Sequence, residues 1–134
     1  MKTAAILLAC AFFTFFPGRA KAAPNGTEML AITHLFQFVR EANAQFIRNG
    51  VSYNGGDAAA HMEKKWGHAK DRLSTAEEFI DYVASRSSLT GKPYMVKTAD
   101  GKTIEARAWL YAELNRFRIQ QDKSAPAGAK PRNK

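Results

Sequence analysis

Phe46-Ile47-Arg48-Asn49-Gly50-Val51-Ser52-Tyr53 lies where one pattern gives way to another in a chain of 134 residues. Upstream of it, Ile32, Leu35, Phe36 and Val39 recur at three- and four-residue intervals, and Phe46 and Ile47 resume that spacing two turns later. Such spacing lines one face of an α-helix with apolar side chains. Asn25-Gly26-Thr27-Glu28 has the form of a capping box, in which a side-chain oxygen takes a free N–H at the helix start. A first helix is therefore predicted over residues 27–48. Asn49-Gly50 is predicted to end it, because glycine accepts the left-handed backbone that closes a helix C-terminus. Val51-Ser52-Tyr53 then reads as extended and Asn54-Gly55-Gly56 as loop.

Downstream, Asp57 is the expected N-cap of a second helix over residues 58–72, with Met62, Trp66, Ala69 and Leu73 on its apolar side. Ser74 with Glu77, and Thr75 with Glu78, are overlapping cap patterns for a third helix through Phe79, Ile80, Val83 and Ala84. Residues 85–93 are rich in Ser, Thr, Gly and Pro, which interrupt regular helix. Tyr94-Met95-Val96-Lys97 and Lys102-Thr103-Ile104-Glu105 flank Asp100-Gly101, a hairpin signal. A fourth helix, over residues 106–121, buries Leu110, Leu114 and Phe117. The predicted fold is mainly α (α+β): about four helices with one small β-hairpin between the third and fourth.

Working outward to the termini, Lys2, the apolar run of residues 4–16, Pro17-Gly18 and Ala20-Lys21-Ala22 follow the layout of a secretory signal peptide. Cleavage is expected after Ala22. An apolar run of 13 residues is short of the ~20 that span a bilayer as a helix, so no transmembrane span is expected after cleavage. Residues 23–121 are expected to form one globular domain and residues 122–134 a disordered basic tail. The whole chain carries 20 Lys and Arg against 12 Asp and Glu, a net +8. Removing Lys2, Arg19 and Lys21 leaves 17 against 12, or +5, and the tail holds +3 of that, so the domain is nearly balanced. The single cysteine, Cys10, goes with the leader, which excludes thiol catalysis, disulfides and cysteine metal sites from the mature domain.

The chemistry-bearing residues form no familiar catalytic motif. His61 and His68 share a helix face, but seven residues at ~1.5 Å each set them roughly 10 Å apart, too far to ligate one ion together. No metal and no cofactor is implied. Residues 85–93 contain neither a Gly-x-Ser-x-Gly elbow nor a correctly spaced Ser-x-x-Lys, and Arg86 and Pro93 stand where a phosphate loop needs Gly and Ser or Thr. Arg48, Lys64, Lys65, Lys70 and Arg72 resemble a nucleic-acid footprint, but export argues against that role, and interleaved acids give an ordinary solvated helix surface.

Three blocks carry a resemblance: Phe46-Ile47-Arg48-Asn49-Gly50 with Tyr53, then Thr75-Ala76-Glu77-Glu78-Phe79-Ile80, then residues 84–94 from Ala84-Ser85-Arg86 to Lys92-Pro93-Tyr94. With Trp109-Leu110 and Glu113-Leu114 they resemble the YfeK-like family of small exported bacterial proteins, a domain of unknown function. The resemblance implies a periplasmic or secreted protein of a Gram-negative bacterium and brings no reaction, cofactor or catalytic residue with it. Two of its blocks include loops, where binding residues concentrate. The expected function is a non-catalytic binding or interaction module of the cell envelope, with Arg48, Asn49, Tyr53, Ser87, Ser88, Lys92 and Tyr94 receiving an anionic or carbohydrate ligand or an envelope protein. The alternatives are a structural or stress-related envelope protein without a ligand site, and an envelope hydrolase with His61 as acid or base and Ser87 or Ser88 as nucleophile.

Overall fold

The computed structural model describes residues 21–125; most of the expected leader, and the expected tail from residue 126 onward, lie outside the described residues. Helix α1, Gly26–Glu41, starts where the capping pattern places it, with the Asn25 side chain accepting from the Glu28 N–H at 3.0 Å. It buries Ile32, Leu35, Phe36 and Val39. It ends well before the predicted Arg48: Ala42 is extended at φ −64°, ψ 129°, and the chain turns into strand β1, Gln45–Arg48. Strand β2, Val51–Tyr53, returns antiparallel, with Phe46 opposite Tyr53 and Arg48 opposite Val51. Asn49 (φ 49°) and Gly50 (φ 80°) are both left-handed, which is the backbone of a two-residue hairpin turn whose twist matches its strands. Asn49-Gly50 is thus a turn between strands and not a helix end.

This overturns the prediction of a single hairpin. Strands β3, Met95–Lys97, and β4, Thr103–Glu105, do form the hairpin expected between the third and fourth helices. They are half of a four-stranded antiparallel sheet of order β2-β1-β3-β4, and the fold is α+β. Two strands of three residues each make a marginal unit in isolation; β1 gives β3 its second hydrogen-bonded neighbour and sets Phe46 opposite Val96. Side chains alternate across the sheet. Phe46, Val96, Tyr53 and Ile104 face the helices, and Gln45, Lys97 and Thr103 face solvent.

Helix α2, Gly55–Ala69, is capped by Asn54 and not by Asp57: the Asn54 side chain accepts from the Asp57 N–H at 2.8 Å, and Asp57 falls in the first turn. A 3₁₀ turn, Lys70–Arg72, completes the segment. Helix α3, Ala76–Phe79, is capped by Thr75, the second of the two overlapping patterns, and continues as a π-helical turn over Ile80–Ala84. Helix α4, Ala106–Ser124, follows β4 directly and runs past the predicted end at Gln121. No helix among the described residues is long and apolar enough to cross a membrane.

The helices and the inner sheet face meet in one core, whose fully buried side chains include Phe79, Ile32, Leu35, Leu110 and Val96. Glu28 ties the elements together at one end, accepting from the Ala76 N–H at 2.7 Å and pairing with Arg118 of α4, which also holds Glu77. Gly55 is the closest backbone approach: a Cβ there would stand 2.3 Å from the Val39 carbonyl oxygen and 2.9 Å from that of Arg40. Only glycine lets α2 begin against the last turn of α1.

Candidate functional site

Arg48 is two residues from Phe46 and so projects from the same face of the sheet, beyond the edge of the core. The β1–β2 turn brings Tyr53 back beside it, and α2 passes in front with His61 and Lys65 one turn apart. Tyr94, just before β3, closes the group; its backbone is held by Tyr94 N–H to Ser85 carbonyl at 2.8 Å and Ala106 N–H to Tyr94 carbonyl at 2.9 Å. Arg48 Nη1 lies 2.7 Å from His61 Nε2 and 2.9 Å from Nδ1, and Nη2 donates to Tyr53 Oη at 3.3 Å. The Tyr94 hydroxyl is 3.3 Å from His61 Nε2 and accepts from Lys65 Nζ at 3.4 Å. Lys65 also donates to the Arg86 carbonyl at 2.8 Å. Both cations lie over rings, Arg48 5.1 Å from the Tyr53 centroid and Lys65 5.1 Å from that of Tyr94.

The group is unbalanced in charge. Arg40, Arg107, Arg116 and Arg118 each reach a carboxylate, whereas neither Arg48 nor Lys65 makes a salt bridge among the described residues. Burial, then the field of Arg48, Lys65 and Lys64, lowers the His61 pKa below its ordinary value, so the ring is neutral at physiological pH. Burial and Arg48 bring Lys65 down to about 8, and burial raises the Tyr94 phenol. A neutral imidazole has one acceptor nitrogen, so Arg48 satisfies one and the other keeps its N–H as a donor. Donors dominate the cluster.

All of these side chains except Lys65 border a cavity of about 350 Å³. Arg48, Tyr53, His61 and Tyr94 form its polar side, Phe46, Ala58 and Met62 its apolar wall, and the exposed Asp57 part of its lining. The volume sits at the lower end of the range for small-molecule sites, roughly 300–1,000 Å³.

Of the residues singled out in the sequence, Arg48, Tyr53 and Tyr94 meet at this cavity. Asn49 does not line it: its amide donates to Ser87 Oγ at 3.4 Å and its carbonyl oxygen accepts from Thr90 Oγ1 at 2.9 Å, pinning the β1–β2 turn to the 85–93 loop. Ser87 is buried, and its hydroxyl also accepts from the Thr90 N–H at 3.3 Å. Ser88 is exposed in a separate hollow with Asp81 and Arg107, and Lys92 points into solvent. Ser87 therefore holds the loop that presents Tyr94, and neither Ser87 nor Ser88 is hydrogen-bonded to His61. Sequence reasoning missed His61 and Lys65 as partners of Arg48. Their four-residue spacing puts them on one turn of α2, but only the hairpin brings Arg48 to that turn. Among the described residues no three His, Cys, Asp or Glu side chains gather to hold a metal ion.

Residues 26–118 match a family of unknown function, DUF5329. The chain belongs to this family. It is also 53% identical over 49 residues to the uncharacterised protein YfeK of Salmonella typhimurium strain LT2, a match that covers 37% of this chain and 41% of that one. The likeness stated from the residue blocks is therefore to a YfeK-like family of unknown function, and it supplies no ligand or reaction. No solved structure matches the chain significantly. As a DUF5329 member the protein has nearly all of its described fold inside the family match, the cavity included.

Proposed function

We propose that the protein is a non-catalytic binding module of the bacterial envelope, exported by its first 22 residues, whose cavity takes a small anionic organic ligand. One observation carries the reading: Arg48 borders a half-apolar cavity and Lys65 stands behind the Tyr94 hydroxyl, and among the described residues no carboxylate is paired to either. Partly buried cations without a counter-charge are costly, and an anionic ligand supplies the missing charge where desolvation strengthens it. Export is supported by the charged, apolar and small-residue order of residues 1–22.

Amide NMR spectra recorded with octanoate, octyl phosphate and neutral octanol test the binding reading. The two anions are expected to shift resonances of Arg48, Tyr53 and His61 saturably, and Arg48→Gln to remove the effect. Equal response to octanol, or no response to either anion, overturns it. Export is tested by the intact mass of the protein from a periplasmic fraction: a chain beginning at Ala23 is expected, and a cytoplasmic chain retaining residues 1–22 overturns it.

A further inference from the structure

Resting on that reading, we infer that the ligand is a monocarboxylate carried on an apolar body. The charge of the lining is the first ground. Among the described residues bordering the cavity Arg48 is the lone cation and Asp57 the lone carboxylate, while Lys65 reaches the site through the Tyr94 hydroxyl. One guanidinium offsets one negative charge; a second charge on the ligand meets Asp57.

The donor geometry is the second ground. A guanidinium has five N–H bonds in a fixed fork, and His61 and Tyr53 hold the Arg48 plane from its two terminal nitrogens. The remaining N–H bonds suit a planar two-oxygen acceptor. Tyr94 Oη accepts from Lys65, and in the His61 tautomer that carries its proton on Nε2 the phenol proton is free to donate to the ligand. A sugar needs acceptors as well as donors around its hydroxyls. Apart from the Asp57 carboxylate, this cavity offers mainly donors on one side and hydrocarbon on the other, with Phe46 and Met62 shaping the wall that receives the apolar body.

Dissociation constants for octanoate, octyl phosphate and acetate at about pH 7, where the phosphate ester is close to dianionic, decide the matter. Octanoate is expected to bind about tenfold tighter than octyl phosphate and more than about tenfold tighter than acetate, which lacks the methylenes. Asp57→Asn, which preserves the helix start because Asp57 engages Asn54 through its backbone N–H, is expected to raise octyl phosphate affinity and narrow the gap. Octyl phosphate binding as tightly as octanoate, acetate matching octanoate, or an unchanged ratio in Asp57→Asn overturns the ligand class while leaving an anion site. Failure of octanoate and octyl phosphate alike to bind removes the underlying reading as well.

Discussion

His34 and His61 are built into two clusters of similar composition and opposite character. His34 Nε2 is 2.5 Å from Glu113 Oε1, and the other Glu113 oxygen takes Arg116 at 2.8 and 2.6 Å. The imidazole is stacked on Phe117 at 4.2 Å, and Phe38 stacks on Trp109 at 4.4 Å. His61 likewise sits with an arginine and aromatic rings, but no carboxylate among the described residues bonds to it. Glu113, 5% exposed, makes the first cluster self-sufficient: its charge is neutralised, its oxygens are satisfied, and α1 is clamped to α4. In the second cluster neither Arg48 nor Lys65 is paired with a carboxylate among the described residues, and Arg48 borders a cavity. A complete set of partners makes a strut; in the proposed reading, the set that lacks an anion is the receptor.

The comparison can be strained at the junction both clusters depend on. Gly55→Ala forces a methyl into the α1 carbonyls and is expected to destabilise the protein by about 3 kcal/mol. Urea unfolding measures this, and a loss under about 1 kcal/mol would show that α2 shifts freely. Glu113→Ala removes the acid from the strut and is expected to lower stability by about 2 kcal/mol with octanoate affinity unchanged, since the cavity is built by other elements. Arg48→Gln is expected to do the reverse: a stability change under about 1 kcal/mol with at least a tenfold loss of octanoate binding. If the two variants gave the same pattern, the distinction between strut and receptor would collapse.

The smallest effect concerns pH. Lys65 has a native pKa of about 8 against an ordinary 10.5, so the unfolded chain binds more protons between those values and stability rises with pH through that window. The contribution is present above 10.5 and is lost as pH falls through about 8. Lys65→Met is expected to flatten that limb of the stability profile; an unaltered slope would mean that Lys65 titrates as if solvated. His61, whose pKa is lowered, adds the same sign of dependence just below pH 6.5, and His61→Gln is expected to soften the acid limb.

The helix caps at Asn25 and Thr75 and the β3–β4 pairing were legible because each rests on residues within a few positions of one another. The β1–β2 hairpin was not. Phe46 and Ile47 satisfy the helical spacing set by Ile32 to Val39, and Asn-Gly closes helices as readily as it turns hairpins, so two local rules favoured the wrong element together. The overlooked signal was Asn-Gly between Phe-Ile-Arg and Val-Ser-Tyr, a two-residue turn between β-prone runs. Arg48, Tyr53 and Tyr94 were singled out from the family blocks and loop positions. His61 and Lys65 could not be joined to them while Arg48 was placed on a helix.

Local chemistry alone specified the caps at Asn25 and Thr75, the amphipathic character of the helices, one hairpin, the near-neutral charge of residues 23–121 and the absence of a thiol from residues 23–134, because these depend on neighbours in the chain or on composition. Packing decided where α1 stops, which two hairpins share a sheet, and which cations go without an acid. Those outcomes follow from contacts between distant residues: β3 completing its pairing with β1, Gly55 admitting α2 against α1, and Glu113 neutralising one cluster while Arg48 and Lys65 have no carboxylate partner among the described residues.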